Sequence, residues 1–436
     1  MRFIIEGLDR LRGQIDSKLI EEIGRVKATD FTRKRKMGIR ELIYYNINKK
    51  GLCTNMEANN FFEKTNQDKS ITAQAVFDQR MKLNPEVFTA LNDEYLGCFY
   101  KGHQEEVKLY KGYVVKAIDG SDLEIPNTRK ALEEYGEAKN HKGGVARAVI
   151  SASYDLLNHY IIDGIIDRFR TGEIEMAMRH IQRAERITKP YESIYTMDRN
   201  YVSVGFMSYM EEEKVKFLCR LKAGSHYKEE TRAMKTEDEI VILKHSGHRQ
   251  ERSRYKNDEL YRAVKSKEYS RVRIIKYPLI TGETEYLITN LEEFTYNEIV
   301  ELYRLRWGIE TLYHSLKQKL QIEKFTSSMP RIIEQDFLSS VLVYNITQAV
   351  RNDAEQKIDQ KAYKHEMKIN ENMAIGFLKN DLIHVLLEQD ESRRMELFDK
   401  LTSKILRFKV PIRKHRRFPI MFKADNNNSI NKLKAF

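Results

Sequence analysis

The chain has 436 residues, which is too long for one ordinary hydrophobic core and predicts two or three domains. Lysine and arginine number 76 against 64 aspartates and glutamates, and the net charge of +12 favours a polyanionic partner. No apolar run approaches ~20 residues, so the sequence argues against a membrane-spanning helix and predicts no membrane partner.

The first 105 residues predict a helical domain that binds DNA. Apolar side chains recur at helical spacing before Leu83, and Asn84-Pro85 ends that helix. A block of consecutive cations lies between short helices, and we expect it to contact DNA phosphates. The block consists of Arg33, Lys34, Arg35 and Lys36. The alternative interpretation is a small helical domain with a solvated run of charge.

A strand that ends in an acidic residue opens the next region, residues 106–215. The run GYVVKAIDGSDL is short and rich in β-branched residues up to Asp119, where Gly120 permits a sharp turn. The strand therefore delivers the carboxylate of Asp119 at its end. Asp122 and Glu124 lie close enough along the chain to be the functional acid instead.

Two further strands, a helix and another strand follow in the same region. The strands of VARAVISASYDLLNHYIIDGII meet at a turn that contains Asp155, and a helical pattern runs from Glu173 to about Ile187. The run YESIYTMDRNY then predicts a short strand that ends at Asp198. Asp198 is either a second functional acid or the cap of the helix that follows.

Residues 216–294 change to short strand-like runs separated by charged loops. The runs are VKFLCRLK, EIVILKH, RVRIIKYPL and EYLITNL. Their β-branched and aromatic content predicts a mainly-β segment. A helix then begins after Thr295, whose side chain can cap its first turn.

The helix after Thr295 separates a polar face from an apolar one. At ~100° per residue, one stripe of polar side chains falls within about 60°. It consists of Tyr303, Arg306, Glu310 and Lys317. An apolar seam lies beside it and would pack; it consists of Leu302, Leu305, Ile309, Leu312, Leu316 and Leu320. Taken alone, the stripe also fits a surface helix with an Arg–Glu pair at i,i+4 spacing.

Helical patterns continue to Leu406, after which the chain becomes strongly basic. The basic residues in this stretch are Arg407, Lys409, Arg413, Lys414, Arg416 and Arg417. The last stretch, ADNNNSINKLKAF, is polar and predicts disorder.

The offsets Y-(2)-R-(3)-E-(6)-K along the polar stripe resemble the YREK signature of DDE transposases from bacterial insertion sequences. The resemblance implies an α/β fold with a ribonuclease-H-like catalytic core and an inserted mainly-β domain before the Glu helix. It also implies an N-terminal helical DNA-binding domain and a helical C-terminal region with a basic tail. The corresponding boundaries are 1–105, 106–215, 216–294, 295–375 and 376–436.

The resemblance also assigns roles to the motif residues. In that family the Glu is the third catalytic carboxylate, here Glu310, and the other motif residues hold DNA phosphates, here Tyr303, Arg306 and Lys317. The first catalytic aspartate lies in an Asp-Gly-Ser/Thr setting, which Asp119 matches. The second usually lies in Asp-Arg-Gly-Tyr. Here Asp198 is followed by Arg-Asn-Tyr, and Asn tolerates positive φ better than most residues.

Three carboxylates suit the cleavage of a phosphodiester with two divalent ions ~3.5–4 Å apart. Mg²⁺ (or Mn²⁺) prefers carboxylate oxygens, so Asp119, Asp198 and Glu310 are the predicted metal ligands and catalytic residues. The three cysteines are scattered without a CxxC pair, which argues against a zinc ribbon and for a reducing compartment. No GxxxxGK[ST] loop occurs, so no ATP-driven step is expected.

The resemblance implies a transposase that binds the terminal inverted repeats of its element, cuts the ends with water and joins the 3′-hydroxyls to target DNA. It further implies that the excised end can pass through a hairpin and that a homodimer forms the synaptic complex. The sequence predicts no signal peptide, and we expect a cytoplasmic protein associated with the bacterial nucleoid. Two alternatives remain open: a non-transposing ribonuclease-H-like nuclease and an inactive DNA-binding relic.

Trp307 is the only tryptophan of the chain. On an ideal helix it lies ~40° from Tyr303, on the side away from the leucine seam. There it borders the site, where a base displaced from the DNA stack would lie against the indole. Alternatively, it fills a gap under the mainly-β segment. A base-flipping enzyme also needs a wedge side chain, for which Tyr277 and Tyr286 are candidates.

Overall fold

The structure is a computed structural model that describes residues 2–65, 67, 69–140, 143–222, 227–279 and 282–412. The described chain divides into two compact units. The helical unit comprises the residues up to His103, Glu124–Arg147 and the residues from Tyr313 onward. The sheet unit comprises Gln104–Leu123 and Ala148–Leu312. The basic residues from Arg413 and the predicted disordered end lie outside the described residues.

The helices and strands have the following bounds. The helices are α1 (Arg2–Ile15), α2 (Lys18–Ile23), α3 (Ile39–Asn48), α4 (Thr54–Lys64), α5 (Ala73–Arg80), α6 (Glu86–Gly97), α7 (Arg129–Tyr135), α8 (Glu173–Ile187), α9 (Val204–Glu212), α10 (Lys228–Ala233), α11 (Asp258–Lys265), α12 (Tyr296–Leu305), α13 (Trp307–His314), α14 (Pro330–Gln356), α15 (Glu371–Leu387) and α16 (Glu391–Leu406). The strands are β1 (Tyr113–Glu124), β2 (Glu137–Asn140), β3 (Gly143–Asp155), β4 (Ile161–Arg168), β5 (Glu192–Met197), β6 (Lys216–Leu221), β7 (Asp238–Lys244), β8 (Tyr269–Pro278), β9 (Thr284–Thr289), β10 (Met367–Ile369) and β11 (Lys409–Pro411).

The helical unit is built on α14. Most of this helix is buried, and α3 and α6 pack against it. Buried polar side chains link the same elements, because Asn345 donates to Asn92 at 2.7 Å and Gln335 donates to the main-chain oxygen of Leu83 at 2.7 Å. The N-terminal helices therefore complete their core with helices from the C-terminal part of the chain.

A mixed sheet forms the sheet unit, with the strand order β3-β1-β5-β6-β9-β8-β7 and β4 paired with β3. β1, β5 and β6 run parallel, and Tyr113–Ala117 pairs with Glu192–Thr196. From β6 outward the pairings to β9, β8 and β7 are antiparallel. One apolar core joins α8, α9 and α11 to these strands.

The predicted strands and helix of residues 106–215 occur in the predicted order, including the bounds of α8, but α7 and β2, which were not predicted, lie between the first two of these strands. Asp155 lies at the turn between β3 and β4, where it accepts main-chain hydrogen bonds as a turn residue. β1 differs from the prediction, because it runs through Gly120 to Glu124 instead of ending at Asp119. Its pairing with β5 nevertheless stops at Ala117, so Asp119 lies just beyond the parallel ladder.

Residues 216–294 are more mixed than the sequence predicted. The strand-like runs do form β6, β7, β8 and β9, but α10 and α11 lie between them. β6 also pairs in parallel with β5. The strands of this segment therefore extend the sheet that carries β1, rather than forming a sheet of their own.

The predicted helix after Thr295 is interrupted at Arg306. Thr295 caps α12 as expected, since its hydroxyl accepts from the Glu298 N–H. The main chain then tightens, because Arg306 donates to the Tyr303 oxygen and Ile309 donates to the Arg306 oxygen, each at 3.1 Å and each across three residues. α13 follows, and a π-helical turn continues it over Ser315–Lys319.

Gly308 lets α13 approach the β3–β4 turn closely. A Cβ atom at Gly308 would lie 2.9 Å from Leu156 Cδ2, so a larger side chain would require the Leu156 side chain to shift. The leucine seam is buried as predicted, apart from the half-buried Leu305. No described helix is long and apolar enough to span a bilayer.

Candidate active site

Asp119 is half-buried in the second half of β1. Its Oδ1 accepts a hydrogen bond from the Gly120 N–H at 2.9 Å. Burial raises the pKa of Asp119 to about 6, and the negative charges of Glu173 and Asp198 act in the same direction against the Arg306 guanidinium. Asp122 and Glu124 are exposed on the same strand. The structure therefore favours Asp119 over these two alternatives.

Asp198 directly follows β5 and precedes a 3-10 turn, Arg199–Tyr201. Its side chain makes no capping hydrogen bond, so the capping interpretation is wrong. Its Oδ1 is buried and has no hydrogen-bond partner. A buried carboxylate oxygen without a donor is costly, which marks a position where a cation or another donor would bind favourably.

Glu310 and Arg306 form an ion pair on either side of the interruption between α12 and α13. Arg306 Nη2 donates to Glu310 Oε1 at 3.0 Å, while Arg306 Nε is buried without a partner. The Arg306 side chain is 8% exposed and that of Glu310 is 40% exposed. The positive charge of Arg306 also lowers the pKa of Asp119, and the negative charge of Asp198 helps to raise the pKa of Arg306, so this guanidinium acts electrostatically on all three predicted acids.

The rings of Tyr303 and Trp307 both lie close to the Arg306 guanidinium. Arg306 Cζ is 5.6 Å from the centre of the Tyr303 ring and 5.7 Å from that of Trp307. The Tyr303 hydroxyl is buried without a partner, and burial raises its pKa. Trp307 is 62% exposed, so it is not the core residue of the alternative interpretation.

The remaining predicted residues lie elsewhere. Lys317 is half-buried in the π-helical turn and belongs to the helical unit, whereas the three acids belong to the sheet unit. The cations of residues 33–36 are exposed in an irregular segment before α3. Among the described residues, the three carboxylates do not bring one oxygen each within 4.8 Å of one another.

Glu173 is a neighbour of the acids that sequence reasoning missed. It is the first residue of α8, its carboxylate accepts a hydrogen bond from the Asn200 side chain, and burial raises its pKa with help from Asp198. Asn200 does not adopt positive φ, so the turn after Asp198 does not use the tolerance of Asn for that conformation. Its amide instead connects the turn after Asp198 to α8. The available signal was an acid at the start of the helix that precedes the Asp198 strand.

The family model described as "Transposase DDE domain" matches residues 110–346, a range that contains Asp119, Asp198 and Glu310. The chain belongs to the DDE transposase family. As a DDE transposase it is an enzyme of DNA cleavage and strand transfer, and it depends on divalent metal.

This DDE transposase resembles a curated relative along most of its length. It is 24% identical over 322 residues to transposase InsG for insertion sequence element IS4 of Escherichia coli (strain K12). The alignment covers 72% of this chain and 68% of the relative. A solved structure, the piggyBac transposase synaptic complex with hairpin DNA, aligns over 92% of this chain and 85% of its own with a TM-score of 0.47 and 10% identity.

Proposed function

We propose that Asp119, Asp198 and Glu310 hold two Mg²⁺ (or Mn²⁺) ions and catalyse cleavage at the ends of an insertion sequence. The observation that carries this proposal is the buried Oδ1 of Asp198, which has no partner among the described residues and lies near the half-buried carboxylate of Asp119. Acids gathered in this way repel one another, and hard oxygen-binding cations offset that repulsion. Paired divalent ions would supply charge neutralisation at the attacking and leaving oxygens of the phosphodiester.

The protein side chains around these acids would orient the DNA. Arg306 holds Glu310 through one nitrogen and keeps its buried Nε available, so its planar fork can grip a phosphate. The Tyr303 hydroxyl can donate to a phosphate oxygen, since it has no partner among the residues that the structure describes. Lys317 would act as a point charge towards a DNA phosphate.

The proposed reaction has two steps at each end of the element. Water attacks the phosphorus at the end, and the 3′ oxygen leaves as a hydroxyl. That 3′-hydroxyl then attacks a phosphorus of the target DNA, and a target 3′ oxygen leaves in its place. Both steps exchange one phosphodiester oxygen for another, so the same acids serve each of them.

A ribonuclease-H-like core would frame this site. The parallel strands β1, β5 and β6, with the antiparallel β3–β4 hairpin on one side, support that interpretation. We assign the core to residues 106–215 and 295–375, the insertion to residues 216–294, and the C-terminal region to residues 376–436. Residues 1–105 would contribute the DNA-binding helices.

Terminal inverted repeats and target DNA are the proposed partners. A groove of about 710 Å³ in the helical unit is lined by Arg35, Lys36 and Lys82, with Asp78 as its acid. This excess of positive charge, together with the exposed Arg33 and Lys34, suits a phosphate backbone. Two element ends would be held by a homodimer in the cytoplasm of a bacterium.

Strand transfer from a pre-cleaved end tests this function. The substrate is a duplex that carries the inverted repeat flanking the coding sequence, with a recessed 3′-hydroxyl at the cut. With Mg²⁺ and plasmid target, wild type should give joined product, and Asp119→Asn should give none. Asp122→Asn is the matched control, because it removes an exposed acid three residues further along β1. If the protein cleaves an intact end but does not join the pre-cleaved end, it is a nuclease. If it binds the end but neither cleaves nor joins it, it is an inactive relic.

Trp307 offers a separate test of DNA placement. Its indole is 62% exposed beside Arg306, so a displaced base could stack on it with roughly 1–3 kcal/mol. In a Glu310→Gln background, pre-cleaved terminal DNA with Mg²⁺ should quench its fluorescence, and random duplex should quench it much less. Equal quenching by both DNAs would remove base stacking from Trp307. Tyr277 and Tyr286 remain the wedge candidates, although Tyr277 is buried with its hydroxyl on Glu285.

A further inference from the structure

A buried chain of hydrogen bonds leads to the main chain of Asp119. His180 Nδ1 is 2.7 Å from Asp163 Oδ2, and His180 Nε2 is 3.0 Å from Ser151 Oγ. Ser151 Oγ donates in turn to the main-chain oxygen of Asp119 at 3.0 Å. This series of hydrogen bonds thus connects β4, α8, β3 and β1, all within the sheet unit.

These polar side chains lie in the interior of the unit. Ser151 and His180 are 0% exposed and Asp163 is 5% exposed, and Val149, Ile165 and Met176 form an apolar cluster on the same elements. Apolar side chains of similar volume would fill this space without a desolvation cost. The retained polarity therefore suggests a role beyond filling the core.

Serine, histidine and aspartate are the residue types of a nucleophilic triad, but here the hydroxyl proton of Ser151 points away from His180. The Asp119 main-chain oxygen can only accept, so Ser151 gives it the single hydroxyl proton. Ser151 Oγ then accepts from His180, which must carry a proton on Nε2. In a nucleophilic triad the hydroxyl proton points to the histidine, and the serine is open to substrate. Here the serine is enclosed and its proton is engaged elsewhere.

Asp163 lies at the other end of this series of hydrogen bonds. Since His180 Nε2 is protonated, a further proton must lie between Nδ1 and the Asp163 carboxylate, because two lone pairs 2.7 Å apart would repel. Arg183 Nε approaches the second carboxylate oxygen at 3.3 Å. The imidazole is thereby held from both sides, and it in turn holds the Ser151 hydroxyl in one orientation.

We propose that Asp163, His180 and Ser151 are positioning residues that orient Asp119 for metal binding. The proposal rests on the proposed metal site. The pairing of β1 with β5 ends at Ala117, so that ladder does not hold Asp119. The Ser151 hydrogen bond fixes the peptide between Asp119 and the flexible Gly120, and with it the direction of the Asp119 side chain. Partners that orient a metal ligand in this way typically contribute about 10–100-fold to affinity or activity.

The test compares two buried hydroxyls of the same sheet. Ser151→Ala removes the donor to Asp119. Thr289→Val is the matched control, because the Thr289 hydroxyl donates to the Phe217 main-chain oxygen and accepts from the Leu291 N–H, neither of which belongs to a predicted metal ligand. Both variants lose one buried donor and one acceptor, so both should lose comparable stability in chemical denaturation.

The measurement is Mn²⁺ binding by the full-length protein, followed as free Mn²⁺ by electron paramagnetic resonance without DNA. Ser151→Ala should bind Mn²⁺ about 10-fold more weakly than wild type, and Thr289→Val should bind as wild type does. Ser151→Thr keeps the hydroxyl and should recover most of the affinity. Equal Mn²⁺ affinity in Ser151→Ala and Thr289→Val would overturn the positioning role.

Two further variants separate the possible failures. If Ser151→Ala does not fold, Asp163→Asn is measured in its place, and unchanged Mn²⁺ affinity there would overturn the proposal. Asp119→Asn reports on the metal site itself. Wild-type Mn²⁺ binding by Asp119→Asn would refute the proposed site and the positioning role together. Weak binding by Asp119→Asn with normal binding by Ser151→Ala would refute the positioning role alone.

Discussion

Two aspartates of this transposase, the buried Asp336 and the half-buried Asp198, have opposite surroundings. In the helical unit, Asp336 accepts hydrogen bonds from Lys49, Arg80, and both the N–H and the hydroxyl of Thr326. Burial opposes its charge, but Arg80 and Lys49 hold its pKa below the usual range. In the sheet unit, Asp198 keeps a buried oxygen with no donor at all. The first acid is satisfied within the protein, and the second is not.

Two arginines repeat the same contrast. Arg80 uses Nε on Gln335, Nη1 on Thr326 and Nη2 on Asp336. Arg306 uses Nη2 on Glu310 but leaves Nε buried without a partner. A buried polar group without a partner costs stability unless a ligand binds it. Arg306 therefore keeps donor capacity that Arg80 has used, which is consistent with its proposed role at a DNA phosphate.

The largest expected effect is the loss of DNA cleavage in the acid variants. Asp198→Asn, Asp119→Asn and Glu310→Gln should each reduce nicking about 10³-fold or more, because the metal ions contribute several kcal/mol and each ~1.4 kcal/mol is tenfold. The free energies of unfolding of Asp198→Asn and Asp119→Asn should stay equal or rise, since each change removes charge from a group of repelling acids. Nicking assays and urea unfolding on the same preparations measure both quantities.

Asp336→Asn serves as the opposite control for these variants. Its folded fraction should nick DNA at the wild-type rate, because Asp336 belongs to the helical unit. If Asp198→Asn is destabilised but fully active, Asp198 stabilises the fold as Asp336 does, and it is not a metal ligand.

The next largest effect is a loss of stability in Asp336→Asn. Removing this carboxylate leaves the guanidinium of Arg80 buried without its counter-ion, and breaking a buried ion pair in this way costs about 3–5 kcal/mol. Chemical denaturation should show that loss as a lower midpoint. A change below about 1 kcal/mol would mean that solvent reaches Arg80 more easily than its 3% exposure indicates.

A smaller effect separates the two arginines. Arg306→Lys should reduce strand joining about tenfold with little change in stability, because a hydrogen bond to a charged group is worth ~1.5–3 kcal/mol and the fork is lost. Arg80→Lys should instead lower stability and leave joining by the folded protein intact. Wild-type joining by Arg306→Lys would show that charge alone suffices at that position.

The smallest effect concerns Lys49, the second cation on Asp336. Burial lowers the pKa of Lys49 to about 8. At pH 7, Lys49→Met should leave the free energy of unfolding unchanged or raise it by about 1 kcal/mol, because Arg80 still pairs with Asp336. A loss of more than about 1 kcal/mol at pH 7 would make the Lys49 pair as important as that of Arg80.

The sign of the pH dependence follows from the lowered pKa of Lys49. Between pH 8 and pH 10.5 the unfolded chain still binds the lysine proton, whereas the folded chain has released it. The stability of wild type relative to Lys49→Met should therefore rise with pH across this window. Denaturation curves of both proteins at several pH values measure this difference, and a constant difference would contradict the lowered pKa.

Much of the site was predictable because local spacing encodes it. The offsets from Tyr303 to Glu310 survive the interruption at Arg306, since a tightened turn shifts a side chain by only a fraction of a turn. Asp198 was recognisable as the acid that follows a short strand. The bounds of α8 were also predictable, because its apolar periodicity starts after Gly172 and stops at Ile187.

The remaining features depend on contacts between residues that are distant in sequence. Asp336 lies 256 residues from Arg80, and no local pattern relates the two. Ser151 and His180 are 29 residues apart on a strand and a helix, and each alone reads as an ordinary core residue. Likewise, no periodicity in residues 216–294 indicates that β6 joins the strand that precedes Asp198. Tertiary pairing alone decides these placements.

Because α3 and α6 pack against α14, the core of the helical unit can form only after α14 has been synthesised. Asn92 and its partner Asn345 are separated by 253 residues. At ~5–20 residues per second, a ribosome needs about 13–50 s to cover that distance. During this interval the nascent α3 and α6 expose the apolar surfaces that later face α14, which makes them substrates for holding chaperones. A polypeptide released early would lack a folded helical unit, so only finished chains would acquire one.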